Sequence, residues 1–432
     1  MSIQTRHIGP GLFILLVSLV GGWTVGDEPS AGTFHRAAIL QRFDADQNGE
    51  LSASERGALR AAYGAIDVPL LPSPPLEYTR LQLPQHFEEA HLRELDNTPA
   101  DNPTTNQGAA LGRVLFYDRQ LSRNQTIACA SCHKREAGFS DPKQFSVGFA
   151  GGHTKRNSMN IANLRYTNLK GRVPGFFWDE RAATLEDQVL MPIQDAVEMG
   201  MKLGELEEKL RTLPYYPPLF QAAFGSSDVT RGGISKALAQ FLRAMTSTTS
   251  RFDQLAAEAT DLFEDFAGLT AQENEGKRLF MEGVGGIAEF ACAMCHVPPT
   301  FNMPAAMNIG LTMNYKDPGL GALGRPSNDP FTPSNDGKFR APSLRNITLT
   351  APYMHAGQFK TLEEVVKHYS AGVRPHRNLG LAFEPPSDGA ETSGFRFTSD
   401  EIPALVAFLK TLTDTKFLQD ERFADPFVRE EK

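Results

Sequence analysis

At 432 residues the chain is long enough for two or three domains, each with its own core, and 41% hydrophobic with 22% charged residues is ordinary for a folded globular protein. A formal net charge of −8, with no basic stripe, argues against nucleic-acid binding and leaves room for a basic partner protein.

Arg6 and His7 precede an apolar run from Leu12 to Val20, and small residues follow up to Gly26. The run falls short of the roughly 20 apolar residues that span a bilayer. Residues 1–26 therefore read as a secretory signal peptide cleaved near Gly26, with an uncleaved anchor as the alternative. Once it is removed, no stable membrane insertion is expected.

Residues 27–65 read as a small EF-hand-like helix–loop–helix segment. Its loop offers oxygen ligands from Asp44, Asp46, Asn48, the Glu50 carbonyl, Ser52 and Glu55, with Gly49 at the sharp turn. No second loop pairs with it, so a structural role stands beside calcium binding. Residues 66–105 are rich in proline (Pro69, Pro72, Pro74, Pro75, Pro84) and then polar, and read as a semi-rigid linker. An amphipathic helix with Leu111, Val114 and Leu115 on one face follows.

Next comes Cys129-Ala-Ser-Cys132-His133, and far downstream Cys292-Ala-Met-Cys295-His296. Each is a CxxCH, the signature of covalent c-type haem attachment, in which two thiols bind the porphyrin and the adjacent histidine reaches the iron. The motifs use all four cysteines of the chain. A four-cysteine zinc site or two redox dithiols would use the same thiols, but would not explain a histidine after both pairs. Attachment of c-type haem takes place outside the bacterial cytoplasm, so the leader and the motifs support one another and point to the periplasm.

Between the motifs lie a glycine-rich loop (Gly148, Gly151, Gly152), the run Arg156-Asn157-Ser158, and Phe177-Trp178-Asp179. Thr184 and Asp187 resemble a capping box for a helix through Leu190, and Ile234, Leu238, Phe241, Leu242 and Met245 share one helix face. Further capping boxes stand at Thr270/Glu273, Thr361/Glu364 and Thr398/Glu401, and Gly372 is the expected stop of the Thr361 helix. No alternating run suggests an extensive sheet, and no repeat is evident outside the two CxxCH motifs. The fold class expected is mainly α, two largely helical halves at 106–265 and 266–432 around one CxxCH each, behind the helix–loop–helix.

With these motifs in order, the stretch from Gln107 to Phe417 resembles the bacterial di-haem cytochrome c peroxidases and their MauG-type relatives. The likeness is carried by Leu111-Gly-Arg-Val-Leu-Phe-Tyr-Asp118, both CxxCH motifs, Phe177-Trp178-Asp179, Gln188 through Met199, Thr350-Ala-Pro352-Tyr-Met-His355, and Ala407 through Asp414. The resemblance implies two c-type cytochrome-like haem domains in contact, a peroxide-reactive haem in the first and an electron-transfer haem in the second, with His133 and His296 as proximal ligands. It assigns Gln188, Pro192 and Glu198 to the distal pocket of the first haem, Trp178 to the space between the haems, and His355 to the surroundings of the second. It also implies an inter-domain calcium site built from Asn157 and the carbonyls of Thr350 and Pro352.

Two departures bear on subtype. In the peroxidases proper, a histidine on the glycine-rich loop often closes the resting peroxidatic haem; here Phe149 takes that position, with His153 four residues on as the alternative ligand. A methionine expected on the helix after His355 is replaced by Tyr369, as in MauG-type proteins, unless one of Met303, Met307, Met313 or Met354 is the ligand. A phenolic oxygen would favour ferric iron and lower the potential relative to methionine. The resemblance thus implies a di-haem peroxidase that uses hydrogen peroxide to oxidise a donor, in the MauG branch a partner protein, through high-valent haem states. The alternatives are a cytochrome c peroxidase fed by a small cytochrome c or cupredoxin, and a non-enzymatic di-haem electron carrier.

Overall fold

The computed structural model describes residues 34–64, 66–81, 83–87, 90–167, 175–287, 291–327, 332–380, 382–383 and 391–429. The leader, residues 1–26, lies outside the described residues, as does the start of the 27–65 segment. Among the described residues the fold is mainly helical, with two short two-stranded sheets. None of these helices is long and apolar enough to cross a membrane.

Two helix pairs organise the molecule. In the first half, Thr105 opens the helix Asn106–Tyr117 by accepting from the Gly108 amide, and Thr230 opens Arg231–Ala244 by accepting from Gly233. The two pack along each other, and the crossing is too close for side chains. A Cβ on Gly112 would collide with the Ala237 carbonyl, and one on Gly108 with the Gln240 amide. In the second half, the Thr270/Glu273 capping box opens Ala271–Glu282, which packs along Glu401–Lys410. There a Cβ on Gly276 would collide with the Ala404 carbonyl. The sequence shows no repeat beyond the CxxCH motifs, yet the structure repeats this glycine-crossed pair. One or two glycines per crossing are too little pattern to detect in a single chain.

Each pair anchors its own apolar cluster. The first gathers Val114, Phe116, Phe139, Ile234 and Phe241; the second gathers Phe252, Phe280, Phe301 and Phe408, whose rings meet at centroid distances of 5.1–6.3 Å. Phe252 and Ala256 belong to the second, whereas Phe417, Phe423, Phe427 and Val428 return to the first.

The proline-rich stretch does not run free as a spacer. Val68–Pro69 pairs antiparallel with Phe427–Val428, and Tyr78 is buried with its hydroxyl on the Arg422 carbonyl at 3.1 Å. His86, Phe87 and Leu92 are buried too. Prolines remove amide donors but leave the apolar side chains between them free to pack.

The helix expected from Thr184 through Leu190 forms over Leu185–Gln188, and a second piece, Met191–Gln194, follows it. Pro192 sits in the first turn of the second piece, where its missing N–H costs nothing. The Thr361/Glu364 box forms as expected, and its helix, Leu362–Lys367, widens into a π-turn over His368–Gly372 that carries Tyr369. Ahead of all this, the helices Arg36–Phe43 and Ala53–Ala62 flank the acidic loop, and Ser52 and Glu55 form a reciprocal capping box.

Candidate functional site

The first motif is a single helical turn, Cys129–Cys132. His133 follows, with Nδ1 3.1 Å from the Phe139 carbonyl; burial lowers the imidazole's proton affinity. The second motif repeats the arrangement: His296 Nδ1 lies 3.3 Å from the Phe301 carbonyl and 3.2 Å from that of Pro342. Burial pushes His296 down to about 4, so the ring is neutral, as a metal ligand must be. Phe139 and Phe301 are fully buried and hold the left-handed φ values of 59° and 51° that aim their carbonyls at the imidazoles. Sequence reasoning missed both; the signal was a phenylalanine six residues after one motif histidine and five after the other.

The thiols fit thioether attachment better than thiolate chemistry. Burial, then the paired cysteine, pushes Cys129 and Cys292 up to about 12. Burial also raises Cys132 and Cys295, each to about 11. A zinc site or redox dithiol needs thiolates of lowered pKa, whereas a thioether carries no charge to desolvate. Beside the second motif lies a cavity of about 170 Å³, lined almost wholly by apolar side chains. Cys292, Cys295, His296, Trp178, His355 and Tyr369 share its wall. The Tyr369 hydroxyl is raised far above its ordinary pKa by burial and by both thiols, and its ring stacks on Phe383 at 6.0 Å. Met307 and Met354 line the same cavity, while Met313 is exposed.

Around the first motif, Glu198 stands on a tight turn after the Met191–Gln194 helix. Asp195 Oδ1 accepts from the amides of Val197 (2.8 Å) and Glu198 (3.0 Å), and the Arg123 amide donates to the Met199 carbonyl at 2.9 Å. The glycine-rich loop lies directly on this turn: the Phe149 amide donates to the Glu198 carbonyl at 3.0 Å. A Cβ on Gly148 would collide with the Val197 carbonyl, and one on Gly200 with the Phe149 ring. The Glu198 carboxylate is near enough to both Cys129 and Cys132 to oppose their ionisation. Burial, reinforced by Asp195 and opposed by Arg181, pushes its carboxyl up to about 7. Gln188 and Pro192, on the two short helices just before, are half-buried. His153 is exposed, on the return limb of the loop opposite Val147.

Trp178 is held from both halves of the chain. Its Nε1–H donates to the Asn157 carbonyl at 2.8 Å, and its own carbonyl accepts from the Arg340 amide at 2.9 Å. His355 stacks on Phe339 with centroids 3.6 Å apart and turns its edge to Trp178 at 6.5 Å. Burial pushes His355 down to about 4, with the nearby Asp317 carboxylate opposing. Arg156 pairs with Asp179 at 2.6 Å and Asp317 at 2.7 Å, so one cation joins segments far apart in sequence. The Asn157 amide donates to the His355 carbonyl at 2.8 Å, and its Nδ2 to the carbonyls of Lys143 and Gln144. Pro352 borders the same region through Gly357, which also abuts Gln144, while Thr350 lies against Gly138.

Away from the haem motifs, Asp44, Asp46 and Glu55 bring carboxylate oxygens within 4.8 Å of one another. Gly49 takes φ 84° at the turn, and Glu55 Oε1 accepts from the Ala45 amide at 2.6 Å. Asn48 and Ser52 face inward by hydrogen bonds to Asp46 and Glu55, and Glu50 is exposed.

Two CxxCH turns, each followed by a half-buried imidazole held at Nδ1, define a protein with two c-type haems. The family described as di-haem cytochrome c peroxidase matches residues 106–261. The methylamine utilization protein MauG of Methylorubrum extorquens is 34% identical over 315 residues, 73% of this chain and 80% of that protein. The cytochrome c551 peroxidase of Nitrosomonas europaea is 31% identical over 316 residues, covering 73% and 82%. Among solved structures, a MauG-like protein associated with microbial copper homeostasis superposes with a TM-score of 0.62 at 32% identity, over 80% of this chain and 99% of that one. The fold is shared as well with the diheme peroxidase of Burkholderia thailandensis, with a TM-score of 0.59 at 24% identity over 73% and 88%. The chain belongs to the di-haem cytochrome c peroxidase and MauG family. It is a haem peroxidase oxidoreductase, which sets aside the non-enzymatic carrier.

Proposed function

We propose that the protein is a MauG-type peroxidase, in which hydrogen peroxide is reduced at the first haem site and a donor, most simply a partner protein, supplies the electrons. The observation that carries this reading is the Tyr369 phenol in the apolar cavity with Cys292, Cys295 and His296. When bound, haem iron would supply the O–O cleaving centre at the first motif and a one-electron redox centre at the second.

The chain's own residues supply the rest. His133 and His296 would ligate iron through Nε2, each ring oriented by its backbone carbonyl. Glu198, with a carboxyl near 7, takes the proton from the inner oxygen of peroxide and returns it to the outer one. Gln188 and Pro192 would border that pocket, and Phe149, which has no metal-binding atom, would offer the iron no ligand there. The Trp178 indole, its N–H fixed on Asn157, stands as a stepping stone for electrons between the halves. The Tyr369 oxygen would ligate the iron of the second haem, with His355 lining the same cavity.

A second reading, a cytochrome c peroxidase drawing electrons from a small cytochrome c or cupredoxin, is favoured by Met307 and Met354 in the same cavity. A methionine ligand there would raise the potential and suit electron storage. The two part on one experiment. Diferric protein mixed with peroxide, without prior reduction, changes its absorption spectrum at once if the MauG-type reading holds; a need for half-reduction would favour the peroxidase.

The division into haem domains at 106–265 and 266–432, joined across the Trp178 junction, belongs to the same reading. So do calcium at Asn157, Thr350 and Pro352, calcium in the EF-hand-like loop, and export to the periplasm behind a cleaved leader.

A further inference from the structure

We infer that Tyr215 and Tyr216, which share the carboxylate of Asp118, form a proton-coupled redox site that takes an oxidising equivalent from the first haem site. The inference rests on the reading that peroxide reacts at that site.

Asp118 closes the helix Asn106–Tyr117 and is buried. Its Oδ1 accepts from the Gln120 amide at 2.8 Å, which is all that capping the next turn requires. Its Oδ2 is engaged separately: the Tyr215 hydroxyl donates to it at 2.8 Å and the Tyr216 hydroxyl at 2.7 Å. Among the described residues no cation forms an ion pair with this carboxylate: Arg429, near enough to favour its charge, donates to the Tyr117 carbonyl and pairs with Asp67 and Asp425, and the Lys209 ammonium donates to the Gln120 carbonyl at 2.7 Å. Both tyrosines are fully buried, with ring centroids 4.7 Å apart. Water is kept off by Phe34 and Phe427, edge-on to Tyr215 at 6.0 and 6.1 Å, and by Phe220 at 6.3 Å from Tyr216.

The pair also lies beside the first motif. Tyr216 is near enough to Cys129 for the thiol's charge to bear on its ionisation, and Cys129 packs against the apolar cluster that contains both rings. A phenol gives up an electron readily only when its proton can leave with it, and in a dry interior the acceptor must already be hydrogen-bonded to it. Asp118 is that acceptor for two phenols at once. One electron passes from the Tyr216 ring to the peroxide-oxidised site, and the phenolic proton crosses to Asp118 Oδ2, leaving a neutral tyrosyl beside a neutral carboxylic acid. Tyr215 can take over the radical by giving its own electron and proton to its neighbour through the same carboxylate. A one-electron donor of the kind the peroxidase consumes restores the phenol, and the proton returns from Asp118.

The test is freeze-quench electron paramagnetic resonance on the full-length two-haem protein mixed with equimolar hydrogen peroxide, alongside its absorption spectrum. Wild type is expected to give a tyrosyl signal that narrows when the tyrosine rings are deuterated. The Tyr215→Phe/Tyr216→Phe variant is expected to lose it while the peroxide-induced absorption change remains. Asp118→Asn, which keeps a side-chain oxygen for the phenols but no proton acceptor, is expected to lose it as well. Pyridine haemochrome content identifies any variant that fails to assemble, in which case Tyr216→Phe alone is read by the same criterion against wild type. An undiminished tyrosyl signal in the variant, or an absorption change in wild type with no tyrosyl signal, overturns the inference. No absorption change in wild type overturns the peroxide reading of the first site, and this inference with it.

Discussion

His133 Nδ1 and the Phe139 carbonyl are joined at 3.1 Å, and the bond leaves Nε2 as the ring nitrogen free for a metal. The same relationship recurs between His296 and Phe301, 163 residues on by subtraction of the two histidine numbers. An imidazole that donates from Nδ1 to a fixed acceptor is locked in tautomer and orientation and is a better iron ligand for it. Two copies of this device, each with a phenylalanine in the left-handed region, support the reading of both motifs as haem-attachment sites.

Glu198→Gln should slow reaction with peroxide by about 10²–10⁴-fold while both haems remain bound, because an amide cannot accept and return the proton. The carboxyl is held up at about 7 by burial and Asp195. Its basic form is the reactive one, so the rate should rise as pH passes upward through about 7 and level above it. Stopped-flow absorption checks both; a variant with the wild-type rate and pH profile removes the proton-transfer role.

Tyr369→Phe keeps the ring stack on Phe383 and Phe395 but deletes the oxygen. The low-spin spectrum of one haem should change, and the potential of that haem should rise as the hard oxygen donor is lost. Spectroelectrochemistry reads both. An unchanged spectrum would hand the position to Met307 or Met354.

Gly276→Ala should destabilise the second half by about 1–3 kcal/mol, since the new methyl meets the backbone carbonyl of Ala404, which cannot rotate away. Gly57→Ala is the control. It lies in the exposed helix Ala53–Ala62 with nothing near its would-be Cβ, so it should be neutral or stabilising by up to about 1 kcal/mol. Thermal unfolding followed by circular dichroism separates the two.

Calcium titration by calorimetry should show a binding event that Glu55→Gln removes. This residue closes the cluster with Asp44 and Asp46, and its oxygens already face inward toward Ala45 and Ser52. Loss of one equivalent in the variant, with the other sites unchanged, assigns it to the loop; an identical isotherm would leave the loop a structural element.

Much of the helical frame was legible. Thr270/Glu273 and Thr361/Glu364 form the reciprocal boxes their spacing implies, because an N-cap and its partner three residues on are neighbours before any tertiary contact exists. The short helix Met191–Gln194 was not read, although Pro192 marks its first turn. Packing of the proline-rich stretch was not read either, since the surfaces that bury Tyr78 and Phe87 belong to distant parts of the chain.

By itself the sequence determined where two porphyrins could attach, since two thiols and a histidine within one turn are a matter of covalent reach. The resemblance it supports extends that to a peroxidase family. Only the tertiary structure decided which groups meet: Trp178 with Asn157 and Arg340, Arg156 with Asp179 and Asp317, Asp118 with Tyr215 and Tyr216. Those partners lie tens to hundreds of residues apart, and no local spacing encodes them. They are brought together by apolar burial, which acts on side chains without regard to their order in the chain.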